Sequence, residues 1–318
     1  TNYFSWGPSE LLPTLLYLDA DRMEDLGRFM TQEKLNLQRD VVRNEIRQNV
    51  ENTPYGRAGE RIYRLMYPKG HPYHEAVYGT HADLESATVG DVKDFFATYY
   101  TPDNCSLVVA GDFDKAQIRP LVDQLFGSLP RGGAVTRRPV PDATLPGVVR
   151  QTMLDKVQLP LVRMVWHSPK AFADGDAEMS LLGMVLSQGK NSRLYKRLVI
   201  DDRIATDVSA YQDSLALGSM FSIEITGTAD ADLDRIEAAV DDELARLATK
   251  SITIDELSQR QATFELSRLS RWQNLGSVAD QLNQYEFVWG EPDSFARDLD
   301  RFRKATPEGV QRIAKATL

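Results

Sequence analysis

Apolar residues recur every three to four positions along most of this 318-residue chain, the spacing of helices that bury one stripe. One such stretch, without Pro or Gly, is 33–51, EKLNLQRDVVRNEIRQNVE, with Leu35, Val42, Ile46 and Val50 on one side. Before it, the pattern predicts a short strand over 1–5 and a helix from Ser9 or Glu10 to Met30, with Pro13 in its first turn, where a missing N–H costs nothing. After it come helices over 58–66, 89–99 and 115–126, the second capped by Thr88 and the third closed by Gly127. The apolar run 105–111 reads as a buried strand holding Cys105.

The second half changes period. Strands are predicted over 148–157 and 161–167, and alternating positions add two more over 207–211 and 218–226. Helices are predicted over 174–186, 192–200, 231–248, 254–269, 278–288 and 292–305, with a last one capped by Thr306. Between the halves, residues 129–147 hold four prolines and three glycines in nineteen positions, the composition of a linker. Its Arg131, Arg137 and Arg138 read as a solvated cluster. The expected organisation is therefore α+β in two units, 1–130 and 148–318, joined by 131–147. The first begins in a strand and the last ends in a helix, so segments are expected to be missing at both ends.

Composition narrows the function classes. A net charge of −9 argues against a nucleic-acid surface, which needs a basic stripe. No apolar run is long enough to span a bilayer. The single cysteine excludes an internal disulfide, which suits the cytoplasm and equally a periplasmic protein without bridges.

Candidate chemistry is sparse. Glu45 lies beside the apolar stripe of 33–51, one turn after Val41 and two after Gln38, so the three share a direction. A carboxylate there is either a half-buried ligand or an ordinary solvated flank, and periodicity leaves both open. HPYHE (71–75) offers His71, His74 and Glu75, but Pro72 forbids the helical i, i+4 display of helix-borne zinc sites, so a structural loop is the better reading. There is no GxSxG elbow, HExxH or HxxEH. Gly189-Lys190-Asn191-Ser192 lacks the rest of a phosphate-loop pattern.

Several stretches together resemble the pitrilysin/insulinase family of zinc peptidases, the inverzincins. They are TNYF with LDADRM (18–23), DVVRNEIRQNVENTPYG (40–56), almost all of 71–114, and SQGKNSRLYKRLV (187–199), in the family's order. The resemblance implies two related domains, each a mostly antiparallel sheet with helices packed on it. They form a processing-peptidase-like clamp around a peptide chamber. It also implies Zn2+ held by the two histidines of HxxEH and a downstream glutamate, which matches Glu45. Such a zinc lowers the pKa of its bound water towards about 7 and polarises the scissile carbonyl. HxxEH is then expected upstream of Thr1, so residues 1–318 would supply one ligand.

Two departures from the family stand out. Where it has a supporting glutamate seven residues before the ligand, this chain has Gln38, which can still hydrogen-bond a ligand but adds no charge. Where active single-chain relatives carry an arginine and a tyrosine, this chain has Val199 and Thr206. The resemblance thus implies the zinc-type subunit of a dimer with a homologous subunit, acting on unfolded peptides. The alternative is an inactive member serving as a structural or peptide-binding subunit. Bacterial relatives of this size are often periplasmic, and that compartment is the expectation.

Overall fold

The region with the deepest core is built around three strands whose alternation separates an apolar from a polar face. A computed structural model describes all residues 1–318. Strands β1 (Leu161–Ser168), β2 (Ala205–Asp213) and β3 (Ser219–Gly227) form an antiparallel sheet in the order β1-β3-β2. Register pairs Val162 with Ile225, Met164 with Ile223 and Trp166 with Phe221, while Val208 and Ala210 of β2 face Ile225 and Ile223. These residues make one core face, onto which helix α7 (Asp176–Ser187) packs. Side chains of the opposite parity, among them Arg163, Ser222, Glu224 and Tyr211, share the other face.

Helix α7 lies unusually close to β2 because Gly183 has no side chain. A Cβ there would stand 2.6 Å from the Ala210 carbonyl oxygen. One turn later Ser187 accepts a hydrogen bond from the Ala210 N–H at 2.8 Å, so part of the β2 edge is satisfied by the helix. At its other end α7 follows Gly175, which sits at φ +93°, a conformation that costs glycine little.

This unit comprises Val50–Ala76, Val140–Arg268 and Phe295–Leu318. It also holds α3 (Gly56–Met66), the short α8 (Arg193–Tyr195) that widens into a π-helical turn over Lys196–Asp201, α9 (Leu233–Thr249), α10 (Ile254–Arg271), α12 (Phe295–Arg303) and α13 (Pro307–Thr317). Thr306 caps α13 as expected, accepting from Gly309 N–H.

The other unit comprises Thr1–Asn49, Val77–Pro139 and Leu269–Ser294. Its helices are α1 (Leu12–Asp25), α2 (Gln32–Ile46), α4 (His81–Ser86), α5 (Val89–Tyr99), α6 (Lys115–Phe126) and α11 (Leu275–Trp289). Both α4 and α5 open with capping boxes, Thr80 with Asp83 and Thr88 with Asp91, which satisfy N–H groups a helix start leaves bare. Residues 50–76 thus group with the second-half sheet and 269–294 with first-half helices, while the change of unit at Pro139–Val140 falls inside the proline-rich 131–147.

Three expected strands are absent. Residues 1–5, 105–111 and 148–157 carry no ladder hydrogen bonds, because an extended segment becomes a strand only beside a partner for its N–H and C=O groups. Instead, side chains hold them. Tyr3 meets the Tyr100 hydroxyl at 2.5 Å, Ser106 donates to Asn283 at 2.7 Å, and Arg150 pairs with Glu237. Without a sheet over it, Cys105 is exposed rather than buried.

The start of α7 is fixed by a buried ion-pair network. Asp176, 4% exposed, accepts from Phe172 N–H at 2.9 Å, the Ser214 hydroxyl at 2.5 Å and Arg301 at 2.6 Å. Arg301 also bonds Asp298 at 2.9 Å. Removing one partner of such a pair strands the other charge, so Asp176→Ala is expected to lower unfolding free energy by about 3–5 kcal/mol. A urea titration measures this; a loss below about 1 kcal/mol would show that Asp298 alone satisfies Arg301.

Candidate functional site

Helix α2 carries the predicted ligand, and its own sequence decides which side faces out. Thr31 caps it by accepting from Lys34 N–H at 3.3 Å, and Glu33 sits in the first turn, where the helix dipole favours an acid. Leu35 and Ile46 are buried, with Val42 half-buried between them. Two arginines on that side bind α4. Arg39 donates to the carbonyls of Leu84 at 2.7 Å and Ala87 at 2.8 Å, and Arg43 pairs with Glu85 at 3.1 Å. Both carbonyls lie at the C-terminal end of α4, where carbonyls lack partners within the helix.

The other side is bare. Gln38, Val41 and Glu45 share it, together with Leu37; Leu37 is 63% and Val41 43% exposed. Glu45 is exposed and takes part in none of the side-chain hydrogen bonds or ion pairs that hold α2 to α4. Just past Ile46 the helix widens into a π turn over Arg47–Glu51, so Glu45 stands in the last regular turn. Such widenings recur at functional sites.

One carboxylate on an open face does not make a zinc centre. A catalytic zinc takes three protein ligands, and no group of three His, Cys, Asp or Glu side chains comes together around a common point. The residues present therefore do not fit a complete metal site. HPYHE belongs to a loop, as expected from Pro72: the His71 Nδ1 accepts from Tyr73 N–H at 3.0 Å, and His74 Nδ1 bonds the Tyr67 carbonyl at 2.6 Å.

In the sheet-bearing unit, the two positions that depart from the family are structural. Val199 packs against the core and the Thr206 hydroxyl donates to the Thr226 carbonyl at 3.2 Å. Sequence reading missed a cluster on the polar face of the sheet. Arg163 and Glu224, directly opposite in register, form an ion pair; the Tyr211 hydroxyl donates to Glu224 and receives a bond from Arg163 at 2.5 Å. Burial, followed by the bond to Glu224, pushes the Tyr211 phenol above its ordinary range. Glu224 neutralises the guanidinium, leaving no surplus charge for a substrate carboxylate. Period-two alternation carried the signal for this face, but the register that joins the three residues was not readable.

Comparison with known proteins agrees with this picture. The family model described as the peptidase M16 inactive domain matches residues 86–264, more than half of the chain. That stretch contains Val199 and Thr206 but not Gln38 or Glu45. The zinc protease PqqE of Helicobacter pylori is 25% identical over 291 residues, covering 90% of this chain and 64% of the relative; the chain therefore spans just under two-thirds of that protein. Among solved structures, a protease from Helicobacter pylori superposes with a TM-score of 0.83 at 24% identity, covering 97% of this chain and 74% of that one. A peptidase M16 inactive domain from Pseudomonas fluorescens superposes at 0.82 with 17% identity, covering 99% and 74%. At these identities the superpositions speak to the fold, whose helices around an antiparallel sheet match M16-like domains. The sequence resemblance to the pitrilysin/insulinase peptidases thus holds, and the chain belongs to the M16 peptidase family.

Proposed function

We propose that this chain is the Glu45-bearing part of a zinc metalloendopeptidase that cleaves unfolded peptides. The observation that carries the reading is the two-sidedness of α2: its arginine side is seated on α4, while Glu45 projects from a bare side with Gln38 and Val41. In this reading Glu45 is the carboxylate ligand, Gln38 supports it by hydrogen bonding, and an HxxEH pair of histidines comes from residues outside 1–318. The substrate-binding arginine and tyrosine come from a homologous partner subunit, because Val199 and Thr206 supply neither. Residues 1–130 and 148–318 are two related domains of that peptidase, and the assembly works in the periplasm. Peptides bind to it as extended strands, through backbone hydrogen bonds with little side-chain selectivity.

A second reading is a family member that has lost catalysis and serves as a structural or peptide-binding subunit. The matched model's description as an inactive domain favours it, as does Gln38 in place of an acid.

Zinc content of the full-length protein separates the two. On the first reading it binds zinc, and Glu45→Gln weakens binding by about a hundred-fold or more, beyond the usual loss from removing a supporting residue. The same substitution changes stability by less than about 0.5 kcal/mol, as expected of a partnerless surface residue. Arg39→Ala, which strands two carbonyls of α4, costs about 1–3 kcal/mol. A full-length preparation that stays metal-free in added zinc establishes the second reading, and full zinc occupancy in E45Q removes Glu45 from the ligand set. Unassisted cleavage of extended peptides at full rate by the isolated subunit would rule out the partner.

A further inference from the structure

The loop after α3, YPKGHPYHEA (67–76), is seated on the sheet-bearing unit by aromatic and imidazole rings. Tyr67 is 1% exposed and its hydroxyl donates to the Gly218 carbonyl at 2.6 Å. The His71 ring, 4% exposed, stacks on Tyr67 with centroids 4.5 Å apart and planes 23° apart. Tyr73 meets Tyr67 edge-on at 5.4 Å, and its hydroxyl accepts from Leu217 N–H at 3.2 Å. From β1, His167 approaches Tyr67 edge-on at 5.5 Å. Met66 and Met220 complete the apolar bed.

His71 can sit there only in one protonation state. Its Nδ1 accepts the Tyr73 N–H at 3.0 Å, so its one proton must be on Nε2. A second proton on Nδ1 would face that N–H and break the bond. The groups facing His71 are the Tyr67 and Tyr73 rings, the Lys170 ammonium and His167, and none of them is a carboxylate. His167 is bonded to the Met66 backbone, and its Nε2 is buried without a partner. The nearby acids are engaged elsewhere: Asp213 by the Tyr63 hydroxyl at 3.1 Å, Glu75 by Arg64 at 2.7 Å, and Glu224 by Arg163. His74 differs, with one ring nitrogen on the Tyr67 carbonyl and the other 3.7 Å from Glu75.

We propose that residues 67–76 form an acid-released latch, closed on β1 and β3 while His71 is neutral and freed when it takes a second proton. Burial and then Lys170 lower the His71 pKa from its ordinary 6.5, and burial lowers that of His167 in the same direction. The released loop therefore binds more protons than the seated one just below pH 6.5. Seating is complete above that value and weakens as pH falls through it. Release would uncover Tyr67, Met66 and Met220 while leaving the opposite face of the sheet packed.

Hydrogen exchange of the whole chain between about pH 8 and about pH 5, corrected for intrinsic rates, tests this across the imidazole range. Peptides covering 67–76 should lose protection at the acid end, while β3 peptides keep theirs. Retained protection at the acid end, or loss together with β3, overturns the proposal. In His71→Gln the pH dependence of the loop must shrink to what His167 alone supplies, whether the loop is seated or released throughout. A dependence of wild-type size in that variant overturns it as well. His74→Gln should keep the wild-type transition, and a transition abolished there would move the switch away from His71 and refute the proposal.

Discussion

The Asp176 carboxylate makes three separate stretches of chain agree on one geometry. It takes the Phe172 N–H from the loop before α7, the Ser214 hydroxyl and Gln212 amide from the end of β2 and beyond, and the Arg301 guanidinium from α12. Arg301 in turn lies over the Phe172 ring and bonds Asp298. A buried carboxylate with that many donors at a helix N-terminus is well satisfied, by hydrogen bonds and by the helix dipole. The consequence runs the length of α7. Its first residue is held, so Gly183 arrives where β2 leaves no room for a Cβ, and Ser187 reaches the Ala210 N–H. Sheet position and helix position are thus coupled through one polar residue inside an apolar core.

How much of this was legible in the sequence depended on distance along the chain. The Thr88 cap and the Lys115–Phe126 helix closed by Gly127 need only a few adjacent residues, and they appear as read. Segments 1–5, 105–111 and 148–157 have strand-like composition as well, yet a strand is a property of two segments, and no described neighbour supplies their second half. Cys105 followed its segment to the surface. In HPYHE the unusual residues were visible, but the reason for them was not. Tyr67 reaches Gly218 across 151 positions, and only that contact turns two histidines into parts of a packed cluster.

The candidate site divides the same way. Seven-residue spacing was enough to put Gln38 and Glu45 on one side of α2. It could not say that Arg39 and Arg43 seat the opposite side, because their acceptors on α4 lie more than forty residues away. Those bonds matter for the chemistry, since a ligand is only as well aimed as the element that carries it. An arginine fork on helix-end carbonyls holds rotation about the helix axis more tightly than an apolar stripe, which tolerates sliding.

That arrangement also limits what family membership can say about activity. The residues that seat α2 and the residues that would face a metal are disjoint sets. Folding uses Leu35, Arg39, Arg43 and Ile46, and the contacts that seat α2 involve neither Gln38 nor Glu45. The same holds in the sheet-bearing unit, where Val199 fills core and Thr206 bonds a neighbouring strand, roles that need neither a charge nor a phenol. A chain can therefore keep every feature that identifies the fold after losing its chemistry, or keep its chemistry while sharing the fold with inactive relatives. Overall similarity is silent between these cases. The discriminating information sits in the few side chains the fold does not use, and among Leu37, Gln38, Val41 and Glu45 on the bare side of α2, Glu45 is the carboxylate.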